Sequence, residues 1–202
     1  MFPLSAVLFP HSSITLHVFE PRYRALTQDC LEGDGRLGIV LIARGSEVGG
    51  GDERTGLGTR GVITEAEALS DGRWLLRVQG ETRLVVDEWL PDDPYPRALV
   101  TEPTPVTDLD AGESLLSVTE QRVRRIRALL SEHGGPPALS ADTPFDHEDP
   151  EANSWQLCAA APVSAYDAQR LLAADPTRRR LDLLGELMDD LELDLQRLHA
   201  SE

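Results

Sequence analysis

Two strand-like runs joined by Ser70-Asp71-Gly72-Arg73 constrain this chain more than any other feature in it. Thr59–Leu69 and Trp74–Val78 carry strand composition, and Asp-Gly between such runs is a hairpin dipeptide, because the central turn residues must tolerate positive φ. An antiparallel pair follows, and its apolar face needs further strands to cover it. Gly80 marks a bulge or bend, Arg83–Leu90 continues as another strand, and Arg97–Thr101 is a last short one after the turn Pro91–Pro96. Upstream, Arg36–Ala43 is a nearly continuous apolar run, the pattern of a central strand buried on both faces. Phe2–Pro10 is a short apolar strand between prolines, and Gly45–Gly58, rich in Gly, Asp and Glu, reads as a mobile loop. Six or seven strands and one helix before Pro103 predict a compact β barrel or pseudo-barrel.

That one helix is entered through a corner. Ile14, Leu16 and Val18 alternate with Thr15, His17 and Phe19, and Pro21 then suits the first turn of a helix running to Leu31, stopped by Gly33-Asp34-Gly35. Phe19, Glu20, Arg22, Tyr23 and Arg24 are thus held where strand meets helix. Two readings follow. In one, the corner is a rigid, partly exposed contact point for a partner; in the other, Glu20 caps the helix and Arg22 lies on solvent.

After Glu102-Pro-Thr-Pro the strand signals stop, dividing the chain into residues 1–105 and 106–202. Asp110 and Glu113 resemble a capping box opening a helix to about His133, followed by a polar loop to Glu148. Asp149-Pro150 caps a helix through Trp155 and Cys158, and Ser164 with Asp167 caps a short one. Asp175-Pro176 caps the last, with Leu184, Leu187, Met188, Leu191, Leu195 and Leu198 as its apolar seam. The second half is therefore a four-helix unit, and the whole chain is α+β.

Charge narrows the function classes. The net charge is −16, and a surface of that sign repels phosphate backbones and anionic lipid, which argues against nucleic-acid and membrane partners. All 19 basic residues are arginine. The absence of lysine excludes a P-loop lysine, a Ser–Lys dyad and Schiff-base chemistry. No Gly-x-Ser-x-Gly, His-Glu-x-x-His or Cys-x-x-Cys is present, so neither a catalytic residue nor a metal site is assigned, and no cofactor is implied. Asp142, Asp146, His147, Glu148 and Asp149 match no calcium loop and read as a solvated acidic stretch. Arg178-Arg-Arg180 reads as intrahelical pairing with Asp182 and Glu186. Cys30 and Cys158 read as reduced core thiols, and the lack of an export signal or membrane span predicts a cytoplasmic protein.

Phe2-Pro-Leu with Val7-Leu-Phe-Pro10, then Leu16-His-Val-Phe-Glu-Pro-Arg-Tyr-Arg24, resembles the start of the Lon substrate-binding (LON) domain. Gly38-Ile-Val-Leu-Ile, Glu47-Val48-Gly49, Gly56-x-Gly58-Thr59, Asp71-Gly72-Arg73 and Gly80-x-x-Arg83 follow in the family's order. Trp155, Pro162, Gln169-Arg-Leu-Leu172 and Arg180-Leu-x-x-Leu184 extend the likeness through the helical half. The resemblance implies a PUA-like β pseudo-barrel followed by an α-helical bundle. It also implies a non-catalytic module that recognises unfolded or damaged polypeptides, an adaptor in protein quality control working with a protease or chaperone. The chain ends where the ATPase and peptidase domains of full Lon proteases would begin. The same resemblance places polypeptide contact at Glu20, Arg22, Tyr23 and Arg24; a client also needs apolar area, which Phe19 beside Tyr23 would supply. The alternatives are a PUA-like nucleic-acid-binding protein, which the charge opposes, and a stand-alone peptidase, for which the Lon dyad is lacking.

Overall fold

A computed structural model describes residues 1–47, 51–104, 106, 113–143 and 145–199. Contacts divide the chain into two compact units, Met1–Thr104 and Pro105–Glu202.

The first unit is a six-stranded mixed sheet and one helix: β1 (Phe2–Leu4), β2 (Ser13–Val18), α1 (Pro21–Glu32), β3 (Arg36–Arg44), β4 (Glu53–Ala68), β5 (Trp74–Leu90) and β6 (Arg97–Thr101). Strand order is β1-β3-β4-β5-β2, with β6 pairing the far half of β5 and only β1·β3 parallel. Phe2 and Leu4 from one end of this order share a core with Leu16 and Val18 from the other. The sheet therefore curls until its two ends meet without pairing, which makes it a pseudo-barrel.

The central strand is as expected: β3 lies between β1 and β4, with Leu37, Ile39, Val40 and Leu41 buried. Three local expectations change. The bulge expected at Gly80 is present, with Arg60 pairing with Thr82 and Gly61 with Gly80 so that Glu81 is the extra residue, but Trp74 to Leu90 run through it as one strand where two were expected. Gly80 also admits a crossing chain, since a Cβ there would lie 2.2 Å from the Phe9 carbonyl oxygen. The supposed loop Gly45–Gly58 is strand from Glu53 onward, where Arg54 lies over the Trp89 ring and pairs with Asp52 at 2.6 Å and Asp92 at 2.8 Å. The hairpin uses a three-residue connection: Leu69 N–H donates to the Arg73 carbonyl, Gly72 N–H to that of Leu69, and Gly72 alone takes positive φ.

The second unit contains α2 (Glu113–Glu132), α3 (Pro150–Ala160), α4 (Ala165–Ala173) and α5 (Thr177–His199). Asp149 and Ser164 cap their helices as the sequence predicts, with side-chain oxygens accepting N–H bonds from Glu151 and Ala152, and from Asp167. Asp110 lies outside the described residues. The polar loop before Glu148 is tied down: Arg124 and Arg127 donate to the carbonyls of Ser140 and Pro137, and Phe145 is buried beneath Arg124. At the start of α5 the Pro176 carbonyl accepts from Arg180 N–H. The buried stripe of α5 is Leu181, Leu184 and Met188, one turn earlier than expected, with Leu187, Leu191 and Leu195 half-buried. Of the cysteines, both free, Cys158 is in the core, where burial pushes its thiol up to about 12, while Cys30 is half-buried.

Arg180 corrects the sequence reading most. It is fully buried, with its guanidinium carbon 3.3 Å from the Trp155 ring centroid, and it donates to Ser154 Oγ at 2.9 Å and Thr177 Oγ1 at 3.0 Å. A planar cation that stacks on indole and satisfies its N–H groups on hydroxyls suits an interior that a lysine would not. Removing it leaves a cavity and stranded hydroxyls. Arg180→Ala should lower the unfolding free energy by about 3 kcal/mol. Arg178→Ala, on an exposed ion pair of 3.9 Å, should change it by no more than about 0.5 kcal/mol. Urea denaturation of the two variants checks both values, and equal losses would return Arg180 to the surface.

Candidate functional site

β2 delivers its last core residue, Val18, and the chain then turns outward through Phe19, whose side chain is 52% exposed. Glu20 occupies the N-cap of α1 with extended backbone, and its carbonyl accepts from Tyr23 and Arg24 N–H. Its carboxylate makes no capping bond. It takes Arg22 Nε at 3.2 Å, and both side chains are largely shielded from solvent. Arg22 also reaches the Glu47 carbonyl at 3.4 Å and lies 4.4 Å from the Tyr23 ring centroid. Neither the capping role of Glu20 nor the solvent placement of Arg22 holds, because the two charges find each other first.

Tyr23 points inward. It is 4% exposed and stacks on Phe2, with ring centroids 4.4 Å apart and planes 19° from parallel. Burial pushes its phenol up to about 12. Arg24 faces elsewhere: a Cβ on Gly72 would lie 2.6 Å from its Nη2, so it packs on the β4–β5 turn.

Where the two ends of the sheet meet, a groove of about 320 Å³ opens. Its lining includes Phe2 and Leu4 of β1, Leu16 and Val18 of β2, Phe19 just beyond that strand, and Tyr23 of α1. Glu20 and Glu47 are the carboxylates in the lining, and Glu47 accepts from the backbone N–H and hydroxyl of Ser5. Of the five residues proposed from sequence, Phe19, Glu20 and Tyr23 line the groove, Arg22 backs it, and Arg24 stands apart. Sequence reasoning missed Phe2, Leu4, Leu16 and Glu47. The family-like pair of segments near the N-terminus was the available signal, but the parallel pairing that brings β1 alongside the corner leaves no local mark. A larger cavity in the second unit is lined by exposed charges of both signs, including Arg170, Arg179, Asp182 and Glu186, and has no comparable apolar floor. Among the described residues no group of three or more His, Cys, Asp or Glu is placed to hold a metal, and no helix is long and apolar enough to cross a membrane.

A curled mixed sheet followed in the chain by a unit of helices is the α+β architecture of Lon N-terminal domains. The match to a Lon N-terminal domain protein from Xanthomonas campestris has a TM-score of 0.66 and 26% identity, over 91% of this chain and 94% of that one. The fold also matches the N-terminal domain of a Mycobacterium avium complex Lon protease, with a TM-score of 0.62 and 16% identity, over 93% and 97% of the two chains. The chain belongs to the ATP-dependent protease La (LON) substrate-binding domain family, whose model matches residues 1–190. A LON peptidase N-terminal domain and RING finger protein of Schizosaccharomyces pombe is 25% identical over 210 residues, covering 90% of this chain and 43% of that protein. The chain thus spans less than half the length of this curated relative.

The buried phenol has a measurable consequence. Tyr23 in the unfolded chain ionises near pH 10, whereas in the folded state it stays neutral to about 12, so its stabilising contribution is whole below pH 10 and is lost as pH rises toward 12. The chain has no lysine, but two other groups share this range: Tyr95, bonded to Asp29 at 2.5 Å, and the buried Cys158 thiol are likewise raised to about 12, so the Tyr23 part is read as the difference between variant and wild type. Chemical denaturation across this range should show stability falling, and Tyr23→Phe should recover on the order of 2 kcal/mol of the alkaline loss. An undiminished slope in that variant would mean the phenol is accessible to water.

Proposed function

We propose that this protein is a non-catalytic polypeptide-binding module that takes unfolded or damaged segments in the groove at the β2–α1 corner, as an adaptor in protein quality control. The observation that carries this reading is the groove itself: a floor of Phe2, Leu16, Val18 and Tyr23, a lip formed by exposed Phe19, and polar groups at fixed positions. An unfolded chain offers apolar side chains and unpaired backbone groups, so its receptor needs apolar area with a few fixed polar contacts. Both carboxylates of the groove are engaged, Glu20 by Arg22 and Glu47 by Ser5, which suits recognition better than proton transfer. Membership of a substrate-binding family supports polypeptide binding in general; the adaptor role, the cytoplasmic setting and a protease or chaperone partner are part of the proposal. So is the division of labour, with residues 1–105 carrying the binding and residues 106–202 forming a separate helical domain. The net charge of −16 weighs against the nucleic-acid alternative.

Phe19 is the residue on which to test this, because Tyr23 is structural and its loss would unfold the corner. Reduced, carboxymethylated α-lactalbumin is a permanently unfolded probe. Phe19→Ala should weaken its binding by about tenfold with the melting temperature unchanged, and the purified protein should neither hydrolyse ATP nor cut the probe. Unchanged affinity in a folded Phe19→Ala protein removes the groove from the reading. Peptide cleavage abolished by substitution of a residue in this chain overturns the non-catalytic assignment.

A further inference from the structure

The groove is bordered by a strand edge that nothing described here fills. β2 is the last strand of the sheet order and pairs only with β5. Gly80 N–H donates to the Ser12 carbonyl at 2.8 Å, and this fixes the alternation along the pair. With the register Ile14↔Val78, Leu16↔Leu76 and Val18↔Trp74, these residues exchange bonds with β5, and the backbone groups of Thr15 and His17 face away from it. Among the described residues no backbone or side-chain group takes them up. An edge of this kind templates another strand unless it is covered or charged. Here the flanking surface is apolar, and the charged groups in the groove lining are carboxylates, Glu20 and Glu47. Arg22 answers Glu20, whereas among the described residues Glu47 is held by the neutral donors of Ser5, so the groove keeps a negative charge at this end.

We propose, building on the polypeptide-binding reading above, that the open edge of β2 docks an extended basic segment that adds to the sheet as a strand. Its backbone bonds to Thr15 and His17, alternate apolar side chains enter the groove between β1 and β2, and a cationic side chain lies against Glu47. Strand addition uses main-chain bonds for affinity and pockets at alternate residues for selectivity. β2 is six residues long, so its edge, about 20 Å at roughly 3.3 Å per residue, accommodates a segment of about six residues. Selectivity is then for charge and alternation, with no need for a defined sequence.

The test uses a fluorescein-labelled peptide of alternating valine and lysine, read by anisotropy on the full chain. Two versions carry backbone N-methyl groups on one or the other set of alternate residues. One version should bind at least about tenfold more weakly than the parent, and the other should bind like it. An alternating valine–glutamate peptide should not bind. Thr15→Pro, which removes an outward-facing N–H at a position where an edge strand tolerates proline, should lose the peptide while keeping its melting temperature. If that variant does not fold, the two methylated peptides on the wild-type protein decide alone. Equal affinity of both methylated versions, or of the glutamate peptide, overturns strand addition; carboxymethylated α-lactalbumin binding retained in the same protein leaves the broader reading standing. Loss of binding to that unfolded probe would instead remove the broader reading. A wild-type dimer that Thr15→Pro converts to monomer would assign the edge to a second copy and also overturn the proposal.

Discussion

The stacking of Tyr23 on Phe2 ties together the two ends of a sheet that never pair. β1 hangs on β3 by three residue pairs and β2 on β5, and among the described residues no ladder joins β1 to β2. What closes the unit is side-chain contact: an aromatic from the first turn of α1 laid on an aromatic of β1, over a core shared with Leu16 and Val18. Closure without hydrogen bonding has a direct cost and a direct use. The edges at the seam are left unsaturated, and the seam is open enough to hold a groove. A barrel closed by a further ladder would have neither.

The length of β4 and β5 makes such a seam tolerable. At 16 and 17 residues they are long for strands, and β5 is the common partner of β4, β2 and β6. A ribbon of that length must bend to wrap a core, and the bulge at Glu81 supplies the bend beside two glycines at close approaches. Glu81 is then placed to accept from both Arg36 and Arg60, which ties β3 and β4 across the bend. The residue displaced by the bulge is thus reused as a brace.

Most of the architecture was legible in the sequence because it is written in local signals. Asp149-Pro150, Ser164, Gly33 and the apolar run of β3 each announce an element through their own neighbours. The errors share one cause, the competition between composition and tertiary context. Glu53–Gly58 looked like loop because of its glycines, yet Gly58 is there so that β4 can approach β3: a Cβ would lie 2.1 Å from the Ile39 carbonyl oxygen. Arg180 looked like surface because arginine usually is, and no pattern in the sequence marks the indole waiting for it. At the corner, Glu20, Arg22 and Tyr23 were found as a cluster, but their roles were not. Which of three adjacent side chains turns inward depends on β1, roughly twenty residues away in sequence and in no periodic relation to them.

The absence of lysine has structural consequences whatever its origin. Guanidinium groups lie near aromatic rings at Arg22–Tyr23, Arg54–Trp89, Arg124–Phe145 and Arg180–Trp155, and these pairs hold, respectively, the corner, the start of β4, the loop after α2 and the core of the helical unit. In each case the arginine also donates to oxygen acceptors in the same neighbourhood. An ammonium, strongly hydrated and without a planar face, could not stack and bond at once, so replacing these arginines by lysine would not be conservative. These four arginines serve as braces, while others such as Arg73, Arg125 and Arg197 hold exposed ion pairs, and acids outnumber bases to a net charge of −16. On the strand-addition proposal, that imbalance is what favours a basic segment over an acidic one at the groove.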